Sequence, residues 1–118
     1  MYLRSSETAG VTTAGTLSPS TTVAAVDTAT ASAKFAGTND NNYVQIQIAN
    51  NTTLTASWAY VNFGVFGNIT PATVATGYPV APGAVVVVSV DKEVTGASVI
   101  MGTSGATANI IFTRGEGI

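Results

Sequence analysis

Asp91 and Glu93 stand two residues apart around Lys92, and carboxylates so spaced could share one face and work as general acid and base. They also read as a charged hairpin turn, where Asp, Lys and Glu serve solubility. Asn39-Asp40-Asn41-Asn42 is rich in side-chain oxygen and could hold a weakly bound calcium ion. It lacks the alternating acids and distal Glu of a dedicated calcium loop, so a plain turn is the simpler reading. Trp58 and Tyr60, two apart on a strand, would present stacked rings on one sheet face, a platform suited to sugars; aromatics placed so more often serve a core or a protein interface. Gly102-Thr103-Ser104-Gly105 has no lysine behind it and is no phosphate loop. Three Asn-X-Thr sequons begin at Asn50, Asn51 and Asn68 and fit an Asn- and Thr-rich composition without further meaning. Arg114-Gly115-Glu116-Gly117 reads as a turn.

The rest of the inventory is short. The 118 residues include four Lys or Arg, six Asp or Glu, no histidine and no cysteine. Charged residues usually make up about a quarter of a soluble domain. Without His and Cys the usual triads, thiol nucleophiles and zinc sites are excluded. The sequence therefore assigns no catalytic residue, no metal ligand and no cofactor, and reads as that of a protein that is not an enzyme. The basic residues Arg4, Lys34, Lys92 and Arg114 are scattered and the net charge is −2, which argues against nucleic acid. No stretch approaches the roughly 20 apolar residues that cross a bilayer, so no membrane partner is expected. Met1 to Glu7 has no apolar signal region, and synthesis in a cytoplasm is expected.

The elements that must position these residues are strands. Residues 1–26 are rich in Thr, Ala, Ser and Gly, have no sustained period, and read as an extended or flexible N-terminal arm. Residues 27–118 read as the folded domain. Thr28 to Ala36 alternates small residues and hydroxyls, a weak strand signal. In Tyr43-Val44-Gln45-Ile46-Gln47-Ile48-Ala49, Val44, Ile46 and Ile48 share one face and Gln45 and Gln47 the other. Asn50 to Thr53 reads as a turn. Trp58 to Phe66 is a second strong strand, with Ala59, Val61, Phe63 and Val65 on one parity and Trp58, Tyr60 and Asn62 on the other. Thr70 to Thr73 and Gly77 to Pro79 read as an irregular connection, and Pro82-Gly83 as a turn with glycine at positive φ. Ala84 to Val90, Ser98 to Met101 and Ala108 to Thr113 complete the set. No window has helical periodicity. Six or seven short strands between Gly, Pro and Asn turns predict an all-β, antiparallel β-sandwich of jelly-roll-like topology.

Two strands are apolar on both faces. If Val86, Val88 and Val90 face the core, Val85 and Val87 face outward; Trp58 and Tyr60 do so opposite Val61 and Phe63. Such a row is either covered or an aggregation hazard. The cover could be the N-terminal arm of the same subunit, the arm of another, or a partner protein; alternatively the valine strand is central and closed on both faces within the domain. Trp58, Tyr60, Val85 and Val87 are thus the candidate interface residues.

Several segments together carry a family resemblance: Ala29 to Ala36, Tyr43 to Asn50, Trp58-Ala59-Tyr60-Val61-Asn62-Phe63-Gly64, Tyr78 to Gly83 with the valine strand after it, and the closing Ile110 to Ile118 with its Gly115-Glu116-Gly117. From about Thr28 onward the chain resembles small proteins encoded among the head genes of tailed bacteriophages. Arg114 stands where that group often has proline. The resemblance implies a virion component on the outer surface of the head. Decoration, or cement, proteins of that kind are small β-sandwiches that bind the major capsid protein as homodimers or homotrimers. A carbohydrate-binding or host-adhesion module using Trp58 and Tyr60 is the alternative expectation, and a head–tail connector or tail component a third.

Overall fold

Alternation of apolar and polar residues forces a strand to bury one face, and two such faces closing on each other make a core. The computed structural model describes residues 20–36, 43–52, 57–91 and 93–116. They form eight strands: β1 (Thr21–Val26), β2 (Ala31–Lys34), β3 (Tyr43–Thr52), β4 (Ala59–Gly64), β5 (Tyr78–Val80), β6 (Val85–Ser89), β7 (Gly96–Met101) and β8 (Thr107–Glu116). The strands build two antiparallel four-stranded sheets, ordered β1-β8-β3-β6 and β2-β7-β4-β5. The chain is all-β among the described residues, as its periodicity predicts. Every connection crosses between sheets except β4 to β5, which stays within the second.

One hydrophobic core lies between the sheets. Val23, Ile46, Ile48, Ile110 and Phe112 enter it from the first sheet; Val61, Val80, Val99 and Met101 enter from the second. The arrangement is sandwich-like. At one end Phe35, Phe63 and Phe112 meet with centroids 5.4 to 6.5 Å apart, Phe63 and Phe112 edge to face and Phe35 tilted against both, in the range where aromatic pairs attract beyond their buried area. The Arg114 guanidinium caps this cluster. Its Cζ lies 6.0 Å from the Phe35 ring centre, and Nη2 donates to the Ala36 carbonyl at 2.6 Å.

Several expectations are corrected. Thr21–Val26, assigned by composition to the arm, form β1 and pair with β8; alternate burial of Val23 and Ala25 gives that short strand its hold. β3 runs through Asn50 to Thr52 instead of turning, because Asn50 is buried on the same parity as Ile46 and Ile48. Gln45, expected on a wet face, is buried. β4 stops at Gly64, short of Phe66. Tyr78–Val80 is a strand, not irregular, since it pairs with Ala59 to Val61. β8 continues through Arg114 and Gly115 to Glu116, so this stretch is no turn. The turn at Pro82-Gly83 stands as expected, with Gly83 at φ 71°, and Gly102 to Gly105 link β7 to β8 with Gly105 at φ 78°. Residues 1–19, the Asn39 to Asn42 segment, Thr53 and Lys92 lie outside the described residues, as does the side chain of Val44.

Candidate interaction surface

On the outward face of the second sheet the paired positions are Tyr60 and Ile100, Asn62 and Ser98, and Gly64 and Gly96, so one end of that face is small. That small end leaves room for a close-lying segment. Residues 65–77, the connection from β4 to β5, fold back as a strap over this face. Asn62 Nδ2 donates to the carbonyls of Thr70 (3.1 Å) and Pro71 (3.3 Å). The Ala72 amide donates to Ser98 Oγ at 3.0 Å, and both residues are almost fully buried. A side chain at Gly96 would place its Cβ 3.1 Å from Ile69 Cδ1 and 2.7 Å from the Ala33 carbonyl. At Gly77 it would stand 2.7 Å from Tyr60 Cβ. The strap is closed at both ends: Phe66 N donates to Thr95 Oγ1 at 2.9 Å, and Gly77 N to the Thr73 carbonyl at 2.8 Å.

Part of the cover sought for the outer aromatic face is thus the chain's own strap. Tyr60 is half-buried, with its ring against Gly102, where an added Cβ would meet Cε2 at 2.6 Å. Trp58, whose carbonyl accepts from the Gly102 amide at 3.1 Å, stays 49% exposed. Ring contacts among the described residues join Phe35, Phe63 and Phe112, and none joins Trp58 to Tyr60.

What the strap covers it replaces with new apolar surface. Six large hydrophobic side chains are exposed among the described residues. Val65, Phe66 and Val74 lie in the strap, Trp58 lies just before β4, and Tyr78 lies on β5 at the parity of Val80; Val85 alone belongs to the first sheet. Residues 65–77 contain no charged residue. The opposite face of the molecule differs. Thr22, Ile111, Ala49 and Val85 form one row across the first sheet, and Thr113, Gln47 and Val87 the next, so hydroxyls and an amide are mixed with aliphatic groups there.

Val85 and Val87 lie on β6, an edge strand of the first sheet among the described residues. The reading of this strand as central and closed on both faces is overturned by that position. Val86 and Val88 pack against the core margin, while Val85 is 59% exposed and Val87 half-buried. Asp91 and Glu93 are exposed in the link from β6 to β7, where the Val94 amide donates to the Asp91 carbonyl at 3.0 Å. Among the described residues no three of His, Cys, Asp and Glu gather as a metal set, and no helix is long and apolar enough to cross a membrane.

Among the buried polar residues, Asn50 and Arg114 join parts of the structure that the sequence reading did not connect. Asn50 Nδ2 donates to the carbonyls of Ser57 and Val80, each at 3.0 Å, and so ties the first sheet to the second. Arg114 caps the phenylalanine cluster. The available signal was parity: Asn50 follows Ile46 and Ile48 by twos, as Arg114 follows Ile110 and Phe112. No protein-family model matches this chain, and no curated protein is significantly similar to it.

Proposed function

We propose that the chain is a structural virion protein, a capsid decoration or cement protein that binds the major capsid protein lattice on the outside of the head and performs no catalysis. One observation carries the reading. Exposed large hydrophobics are concentrated on the second sheet and its uncharged strap. Protein interfaces are depleted of charge at their centres and enriched in aromatic anchors. The resemblance to phage head proteins supplies the lattice as partner. We further read the sandwich as a jelly roll, an eight-stranded architecture found in capsid proteins; the order β1-β8-β3-β6 over β2-β7-β4-β5 supports this. The stretch before β1 is proposed as an arm that extends along a neighbouring subunit. Many copies per head would give stability by avidity even where each contact is weak.

Co-sedimentation with purified capsids of the encoding virus tests the proposal. The protein should pellet with heads at a fixed ratio to the major capsid protein, and the double substitution Phe66→Ser, Val74→Ser should reduce that occupancy. Absence from mature particles together with no binding to purified heads would overturn it. Trp58→Ala that abolishes glycan binding while leaving capsid attachment intact would favour an adhesion module instead.

A further inference from the structure

The two sheets have four edge strands, and three are guarded. β2 has four residues and ends on Lys34; β5 has three, with Pro79 at its centre. Short length, lysine and proline are the usual protections against unwanted strand pairing. β1 is flanked by β2, and Thr21 Oγ1 at its start accepts the Ala36 amide at 2.6 Å. β6 has no such device. Val85–Ser89 carries no charge and no proline, and it pairs with β3 from Ala49 to Gln45 without a register break. Among the described residues no strand lies beyond it, so one whole row of its backbone donors and acceptors faces outward without a strand partner.

We infer that this edge is a two-fold contact through which two copies of the chain join their first sheets, β6 against β6, in antiparallel register centred on Val87. In a two-fold contact residue i meets residue j and j meets i, so in Val-Val-Val-Val-Ser the three central positions pair valine with valine. In that register Val87 faces its own copy, Val86 faces Val88, and Val85 faces Ser89. The half-buried Val86 and Val88 at the core margin then gain a matching apolar row. The charges also fit. Asp91 and Glu93, just past one end of β6, fall opposite Gly83 and Ala81 of the uncharged turn at its other end, so no like charges meet. A pair joined this way has one continuous sheet made of two four-stranded halves. The contact belongs to the free chain and does not rest on the capsid reading.

Sedimentation velocity on the full-length protein should give the mass of a dimer. Val87→Lys and Val87→Glu, each placing like charges face to face, should both give monomers with unchanged circular dichroism. Mixed in equal amounts, the two variants should restore the dimer, an outcome that misfolding could not produce. The chain has no cysteine, so Val87→Cys offers a clean second test. It should form a disulfide-linked dimer under mild oxidation, whereas Ala24→Cys, exposed on the opposite edge strand, should not. A monomeric wild-type protein, a dimer that survives Val87→Lys, or equal cross-linking at the two positions would overturn the inference. A dimer without affinity for heads would leave this contact standing and remove only the decoration reading.

Discussion

Asn50 is the residue on which the two sheets most visibly depend. Its side-chain amide reaches the Ser57 and Val80 carbonyls inside the protein, and its Oδ1 is buried with no hydrogen-bond partner among the described residues. A buried acceptor stripped of its donor costs about 1–3 kcal/mol. Asn50→Ala strips two, but it also removes the unpartnered Oδ1. The net loss expected in urea denaturation is therefore about 2–3 kcal/mol, below the simple sum. Asn50→Asp keeps the shape and loses the donor, and at neutral pH sets a buried carboxylate against two carbonyl oxygens. It should be the more damaging of the two; an equal or smaller loss would show that the amide does not hold the sheets. Neither Asn50 nor Arg114 was legible as a buried group. Asn-Asn-Thr-Thr and Arg-Gly-Glu-Gly have the composition of turns, and only the two-residue period continuing through them marks strand. Local propensity is weak when cross-strand pairing supplies the hydrogen bonds.

At the scale of elements, the strap is the feature that determines which surface the protein shows. It lies close to the second sheet because glycine and serine leave room for it. Gly77→Ala would drive a Cβ to 2.7 Å from Tyr60 Cβ and 2.9 Å from the Thr73 carbonyl, neither of which can swing aside. Overpacking of this kind costs about 1–3 kcal/mol. Gly67→Ala, in the same strap at φ 96° with nothing within 4 Å, meets only backbone strain, about 1–2 kcal/mol. Thermal unfolding compares the two. Amide exchange at Ala72, whose proton is held by Ser98, should quicken in Gly77→Ala and stay slow in Gly67→Ala. Equal effects on that amide would mean the strap is not seated by close approach. Strands with strong alternation, such as β3 and β4, were legible from the sequence. β5 was not, since three residues with a proline carry no period. The strap was not legible either, because its seat consists of glycines that look like turn formers until the sheet register places them on one face.

For the whole molecule, the scarcity of charge turns into a prediction about attachment. Lys34, Asp91 and Glu93 are exposed and Asp27 half-buried, but none of them lies in the strap, and Arg114 is withdrawn beneath the surface. An electrostatic contact would weaken steeply as the screening length falls from about 30 Å at 0.01 M salt to about 3 Å at 1 M. A contact made by Phe66, Val65, Val74 and Trp58 has little to screen. Binding to heads should therefore change by no more than about threefold across that range. Calorimetry should give a negative heat-capacity change on attachment, the mark of buried apolar surface. Unfolding stability of the Phe66→Ser, Val74→Ser protein should stay within about 1 kcal/mol of the parent, because both side chains are half exposed and outside the core. A steep loss of attachment with salt would mean that Lys34 and the Asp91 to Glu93 link lead the docking. The second sheet would then be the wrong face, whatever its aromatic content.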